Sequence, residues 1–152
     1  MQRTAEVPDA HVRHLADQFL DAAELLLKHV PGVNAPSPIR VNAAFAIELY
    51  IKSLNSRWRV GDSYSPVTTE SNVRGHKLDK LFEELPENFR DDMASKFPEV
   101  PQLLKLYSAT FEIERYGFEG RERPYASRTV NEIVELARMF RAYVDSLPTL
   151  RY

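Results

Sequence analysis

Glu48 and Lys52 stand four residues apart, acid first, inside the otherwise apolar run Ala43-Ala44-Phe45-Ala46-Ile47-Glu48-Leu49-Tyr50-Ile51-Lys52-Ser53-Leu54. On an exposed helix face that order gives an ion pair worth about 0.2–0.5 kcal/mol. If Glu48 instead faces a partly buried polar site, it needs a cationic partner there. Two segments offer one. In Gly75-His76-Lys77-Leu78 the histidine precedes a helix start, where free backbone N–H groups suit hydrogen bonding or anion contact, unless the ring simply packs at that start. In Glu114-Arg115-Tyr116-Gly117-Phe118-Glu119 a helix ends, and Arg115 lies near its negative dipole end. Those side chains either form a polar pocket or terminate the helix and cover the core with rings. The expected site gathers Glu48, Lys52, His76, Lys77, Arg115, Tyr116 and Glu119. In it Arg115 contacts phosphate or pairs with Glu48, His76 donates hydrogen bonds, and the three lie about 3–6 Å apart.

Other constellations compete with it. Trp58 sits between Arg57 and Arg59, with Arg74, Lys77 and Lys80 further on. A base stacked on the indole with phosphates on these cations would suit a single strand, while a lone tryptophan at a core edge explains the same residues. Arg121, Arg123 and Arg128 form a basic turn beside Tyr125, diluted by Glu119 and Glu122. His11 and His14, with Asp17 and Asp21 on the same side, have helical metal-ligand spacing. No second histidine pair completes a set, so no metal and no cofactor is expected.

The elements that must position these groups are helical. Asp9 caps a helix to about residue 30, with Val12, Leu15, Phe19, Ala22 and Leu26 at three- and four-residue steps. Ser37 and Pro38 read as the cap and first turn of a second helix to about residue 56. Its apolar stripe Ala43, Ala44, Ile47, Tyr50, Ile51 and Leu54 faces one way, and Phe45 and Leu49 nearly the other. Such a helix is central in a bundle, or is shared between a core and a subunit interface built on Phe45 and Leu49. Residues 57–75 show no sustained period and read as a long loop. A short helix carries Leu78, Leu81, Phe82 and Leu85, a weaker turn runs through residue 97, and a fourth long helix fills 98–116. Thr129 and Glu132 have capping-box spacing at the start of a last helix that ends before Pro148. Short connections make helices one and two, and four and five, antiparallel pairs.

Composition narrows the class. The 152 residues, 43% hydrophobic and 28% charged, suffice for one domain over 1–152 with its bundle at about 9–148. Twenty basic against twenty-two acidic side chains provide no global field for nucleic acid, so any polyanion site is a local patch. Without cysteine there is no disulfide, thiolate metal site or cysteine nucleophile, and a cytoplasmic location is expected. Five glycines argue against glycine-rich phosphate loops. No apolar run approaches the roughly 20 residues that span a bilayer, so no membrane partner is expected, and the N-terminus does not read as a signal peptide.

Three segments together, A-x-E-L-Y-I-K-S-L over 46–54, G-H-K-L-D-K-L-F-E-E-L-P over 75–86 and R-Y-G-F-E over 115–119, resemble the HEPN superfamily, named for higher eukaryotes and prokaryotes nucleotide-binding. The resemblance spans residues 9–147. It implies an all-α, up-and-down bundle of four main helices with a short extra helix, commonly paired into a homodimer. Many members are metal-independent ribonucleases of toxin–antitoxin, CRISPR and anti-phage systems, and others are non-catalytic binding or scaffolding modules. Catalytic members carry an arginine followed, after four to six residues, by a histidine near the end of the penultimate main helix. There the histidine moves the 2′-hydroxyl or leaving-group proton, and the arginine stabilises charge on the phosphate. Arg115 matches that arginine, but Gly120, Arg121 and Glu122 occupy the following positions and no histidine follows His76. The resemblance therefore implies a non-catalytic module with a nucleotide or RNA ligand, or a partner protein encoded nearby. Its alternatives are a nuclease with a rearranged site using His76 and Arg115, and a purely structural dimer.

Overall fold

The computed structural model describes residues 2–4, 9–30, 35–59, 68–71 and 75–148, with the backbone path alone for 2–4, 56–59 and 68–71. The fold is mostly helical. Strand β1 (Gln2–Thr4) is followed by α1 (Ala10–His29), α2 (Pro36–Leu54), β2 (Ser56–Arg59) and β3 (Thr68–Ser71). Then come α3 (Leu78–Glu83), α4 (Glu87–Lys96), α5 (Val100–Leu106), α6 (Thr110–Arg115), a 3₁₀ turn at Gly117–Glu119, and α7 (Val130–Ser146).

Helix α2 is the axis of the molecule. Ile39, Ala43, Ala44, Ala46, Ile47, Tyr50 and Ile51 are all fully buried on it, because α1, α3, α6 and α7 pack around it. The first apolar face is thus covered, while on the second Leu49 is only 8% exposed within the single chain and Phe45 is half-buried. Asp9 caps α1 as expected, accepting the Val12 N–H at 2.9 Å, and its own N–H bonds the Ser53 carbonyl at 2.8 Å. That bond ties the start of α1 to the end of α2 and makes the two antiparallel.

Four local expectations are corrected. The stretch read as a loop over 57–75 contains β2 and β3, which with β1 form a three-stranded antiparallel sheet in the order β1-β2-β3. Strands of three or four residues are too short for a period of two to be seen. Ser37 is not the cap of α2; it lies in the first turn, and its hydroxyl donates to Glu114 at 2.6 Å. The capping box at Thr129 does not form, because the Glu132 side chain accepts instead from Tyr107 and Arg128.

The fourth long helix is two short ones. Ser108 leaves the helical path, its carbonyl accepting the Leu78 N–H that opens α3 at 3.1 Å, and its hydroxyl donating to Asp79. Thr110 Oγ1 donates to the Tyr107 carbonyl at 2.8 Å and closes the break. As a consequence α6 packs chiefly on α2 rather than pairing with α7, and α7 lies against α1 and α2.

Candidate functional site

Glu48 points from the buried middle of α2 toward the chain entering α3 and is 1% exposed. Lys52, one turn on, donates to its Oε1 at 2.7 Å. His76 Nδ1 lies 3.0 Å from both Oε1 and Oε2, so one carboxylate holds the imidazole across its two oxygens. Gly75, at φ +105°, provides the left-handed turn that brings His76 back over α2 before Leu78 starts the helix. The surface ion pair allowed by the spacing is therefore built on a buried carboxylate with the His76 imidazole as a second hydrogen-bond partner, the arrangement that offsets the cost of burying a carboxylate.

The His76 side chain is 44% exposed. Its ring rests on Phe111, centroids 5.1 Å apart, and Phe111 also carries the Arg115 guanidinium, whose carbon stands 5.6 Å from the ring centre. Phe111 and Arg115 are four apart on α6, which places them on one face. Arg115 thus shares an aromatic ring with His76 and makes no hydrogen bond or ion pair to His76 or Glu48 among the described residues. The same guanidinium stands 5.3 Å over Tyr116, which is 37% exposed. Glu119 pairs with Arg121 at 3.3 Å, and Lys77 is exposed beside His76.

Of the expected set, the structure brings together Glu48, Lys52 and His76 by hydrogen bonds. Arg115 and Tyr116 join through ring contacts, and Glu119 lies on the turn beyond them. Phe45 is half-buried and continues the aromatic row, 5.3 Å from Phe111 and 4.5 Å from Phe19 of α1. The side chains around Trp58, and the whole of Arg74, lie outside the described residues.

A second constellation escaped sequence reasoning. Glu114 accepts from Ser37 at 2.6 Å, Tyr125 at 2.7 Å and Arg123 Nε at 2.9 Å, with Arg40 at 3.5 Å. Burial pushes its carboxyl up, but the hydrogen bonds from Ser37, Tyr125 and Arg123 outweigh burial and hold it below the usual carboxylate range. Tyr125 is fully buried, stacked on Tyr107 at 5.2 Å under the Arg40 guanidinium. Burial and the Glu114 carboxylate both raise its phenol, so it stays a proton donor. The available signal was an acid continuing the buried Tyr107-Thr110 side of the chain at helical spacing.

The metal-like spacing on α1 has a different use. Asp17 accepts from Tyr50, and Arg141 of α7 bonds Asp21 at 2.6 Å and approaches Asp17 at 3.4 Å. These carboxylates join three helices, and no cluster fit to hold a metal ion exists among the described residues. Nor is any described helix long and apolar enough to cross a membrane.

Comparison with protein-family models, with curated proteins and with solved structures returns no match.

Proposed function

We propose that this chain is a HEPN-like helical bundle acting as a binding module, paired into a homodimer, in a defence or toxin–antitoxin setting in the cytoplasm. Its site takes a phosphate-bearing ligand, a nucleotide or RNA, at the edge formed by His76, Lys77 and Arg115. The observation that carries this reading is the imidazole and the guanidinium that share the Phe111 ring. His76 is fixed from behind by buried Glu48, and Arg115 is exposed with no carboxylate partner among the described residues. A preorganised imidazole beside an uncompensated guanidinium suits a phosphate, because neither group must first be released from an acid at the surface. The row Phe19, Phe45 and Phe111 leads from this edge along half-buried rings and supports a subunit contact adjoining the site. Fluorescence anisotropy with a labelled single-stranded RNA and with labelled ATP, in chelator, tests the reading. At least one should bind, and Arg115→Ala should lose most of that binding; no binding of either by the native chain overturns it.

One observation favours a metal-independent endoribonuclease as a second reading. Glu48 holds Nδ1, and no hydrogen bond engages Nε2 of a half-exposed ring among the described residues. An imidazole so oriented can take the 2′-hydroxyl proton at Nε2 and return a proton to the leaving oxygen, while Arg115 faces the charge on phosphorus. Cleavage of the RNA in chelator that vanishes in His76→Ala separates the nuclease from the module.

A further inference from the structure

The turn after α6 exposes a large apolar ring that the fold does not use. Phe118 is 86% exposed, and its one ring neighbour among the described residues is Tyr116, centroids 6.5 Å apart and near perpendicular. The turn presenting it is well defined. Glu119 N–H bonds the Tyr116 carbonyl at 2.9 Å, Gly120 N–H bonds the Gly117 carbonyl at 3.3 Å, and Gly120 closes the turn at φ +68°. Gly117 is pressed onto Arg123, since a Cβ there would meet Nη2 at 2.9 Å, and Arg123 is itself pinned by buried Glu114. An aromatic ring on a seated turn loses little conformational freedom when something stacks on it.

Phe118 ends a ladder of planar groups. Tyr116 follows it, then the Arg115 guanidinium 5.3 Å over Tyr116 and 5.6 Å over Phe111, then His76 at 5.1 Å from Phe111. The Arg115 guanidinium is the charge placed on the ladder itself. Arg115 and Lys77 have no acid partner among the described residues, whereas Glu48, Glu114 and Glu119 are each paired with a cation, leaving Glu112 and Glu122 as the opposing charges nearby in the chain. Flat π-faces on either side of a guanidinium are what bases and phosphates of a single strand require, and a duplex hides its base faces.

We infer that Phe118, with Tyr116, is a base-stacking ledge that makes the ligand of this site a single-stranded nucleic acid, the phosphate lying on Arg115. The inference rests on the proposed function and specifies its ligand. The test uses the full chain and a 5′-fluorescein-labelled 12-nucleotide RNA of mixed sequence, single-stranded or annealed to its complement, followed by anisotropy. The native chain should bind the single strand more tightly than the duplex. Phe118→Ala should weaken single-strand binding about tenfold and leave duplex binding unchanged, because a stacked base contributes roughly that much. Phe118→Trp should bind as well as the native chain, and Phe118→Leu as poorly as Phe118→Ala. Since Phe118 supports no core packing, these variants should keep the native far-UV circular dichroism. If Phe118→Ala binds like the native chain while Arg115→Ala does not, the ledge is wrong and the phosphate site stands. If Phe118→Ala instead leaves RNA binding intact and lowers the sedimenting mass, Phe118 is a protein contact and the ledge is overturned. If the native chain binds neither form, the ledge is overturned, and if it also binds no ATP the proposed function falls with it.

Discussion

Both carboxylate oxygens of Glu48 lie 3.0 Å from a single nitrogen, Nδ1 of His76, across 28 residues of chain. The buried acid fixes the ring orientation, and with it which nitrogen meets the surface. A carboxylate accepts, so the neutral imidazole must carry its proton on Nδ1. Long-range ¹H–¹⁵N correlation of the native protein with the ring in its neutral form should show that tautomer at His76. In Glu48→Gln the mixture should shift toward the common Nε2–H form.

Glu48→Gln should also cost stability. Lys52 and His76 would lose the carboxylate they share, and breaking a buried charged network is expensive. A loss of about 2–4 kcal/mol in urea denaturation is expected, in line with breaking a buried charged network. Glu48→Asp should not restore it, since the carboxylate would fall short of His76.

The Glu114 cluster predicts an acid limb. Its carboxyl titrates lower in the folded chain than its ordinary value of 4.5 because Ser37, Tyr125 and Arg123 donate to it. On falling pH the unfolded chain therefore takes up that proton first, so the stability Glu114 contributes is complete above the ordinary value and is lost as pH falls through the lowered one. Urea midpoints from about pH 6 to pH 3 should fall more steeply for the native protein than for Glu114→Gln. At pH 7 Tyr125→Phe, which deletes one buried donor to this acid, should lose about 1.5–3 kcal/mol.

Helix α2 should be the most sensitive element. Ile47 is fully buried at the centre of the bundle, and Ile47→Ala should cost about 2–5 kcal/mol, whereas Phe118→Ala, on the exposed turn, should stay within about 0.5 kcal/mol of native. Differential scanning calorimetry of the two variants makes the comparison directly.

The half-buried aromatic row tests the proposed dimer. Phe45→Glu places a charge between Phe19 and Phe111, at a position that the fold of one chain leaves partly open. Sedimentation velocity should report a dimer for the native chain and a monomer for Phe45→Glu. A native monomer at tens of micromolar would remove the subunit contact from the proposal.

Helices announce themselves over a few turns, so the chain alone determined α1, α2, α3 and α7. The Asp9 cap, the two-faced apolar pattern of α2 and the stripe Leu78, Leu81 and Phe82 are local facts. The sequence also put Glu48, Lys52 and His76 forward, because an acid in an apolar run must find a cation. It placed Ser37 and Thr129 in caps they do not make, and ran one helix through Ser108, since the better partners were distant. Ser37 bonds an acid 77 residues away, Ser108 serves the start of α3, and Glu132 turns to Tyr107. Only the tertiary structure decided that Arg115 meets His76 through the Phe111 ring rather than through Glu48, and that Glu114 is a second buried acid with three side-chain donors of its own. A polar side chain selects among every donor and acceptor the fold brings near, and that choice is made by packing across the chain, not by spacing along it.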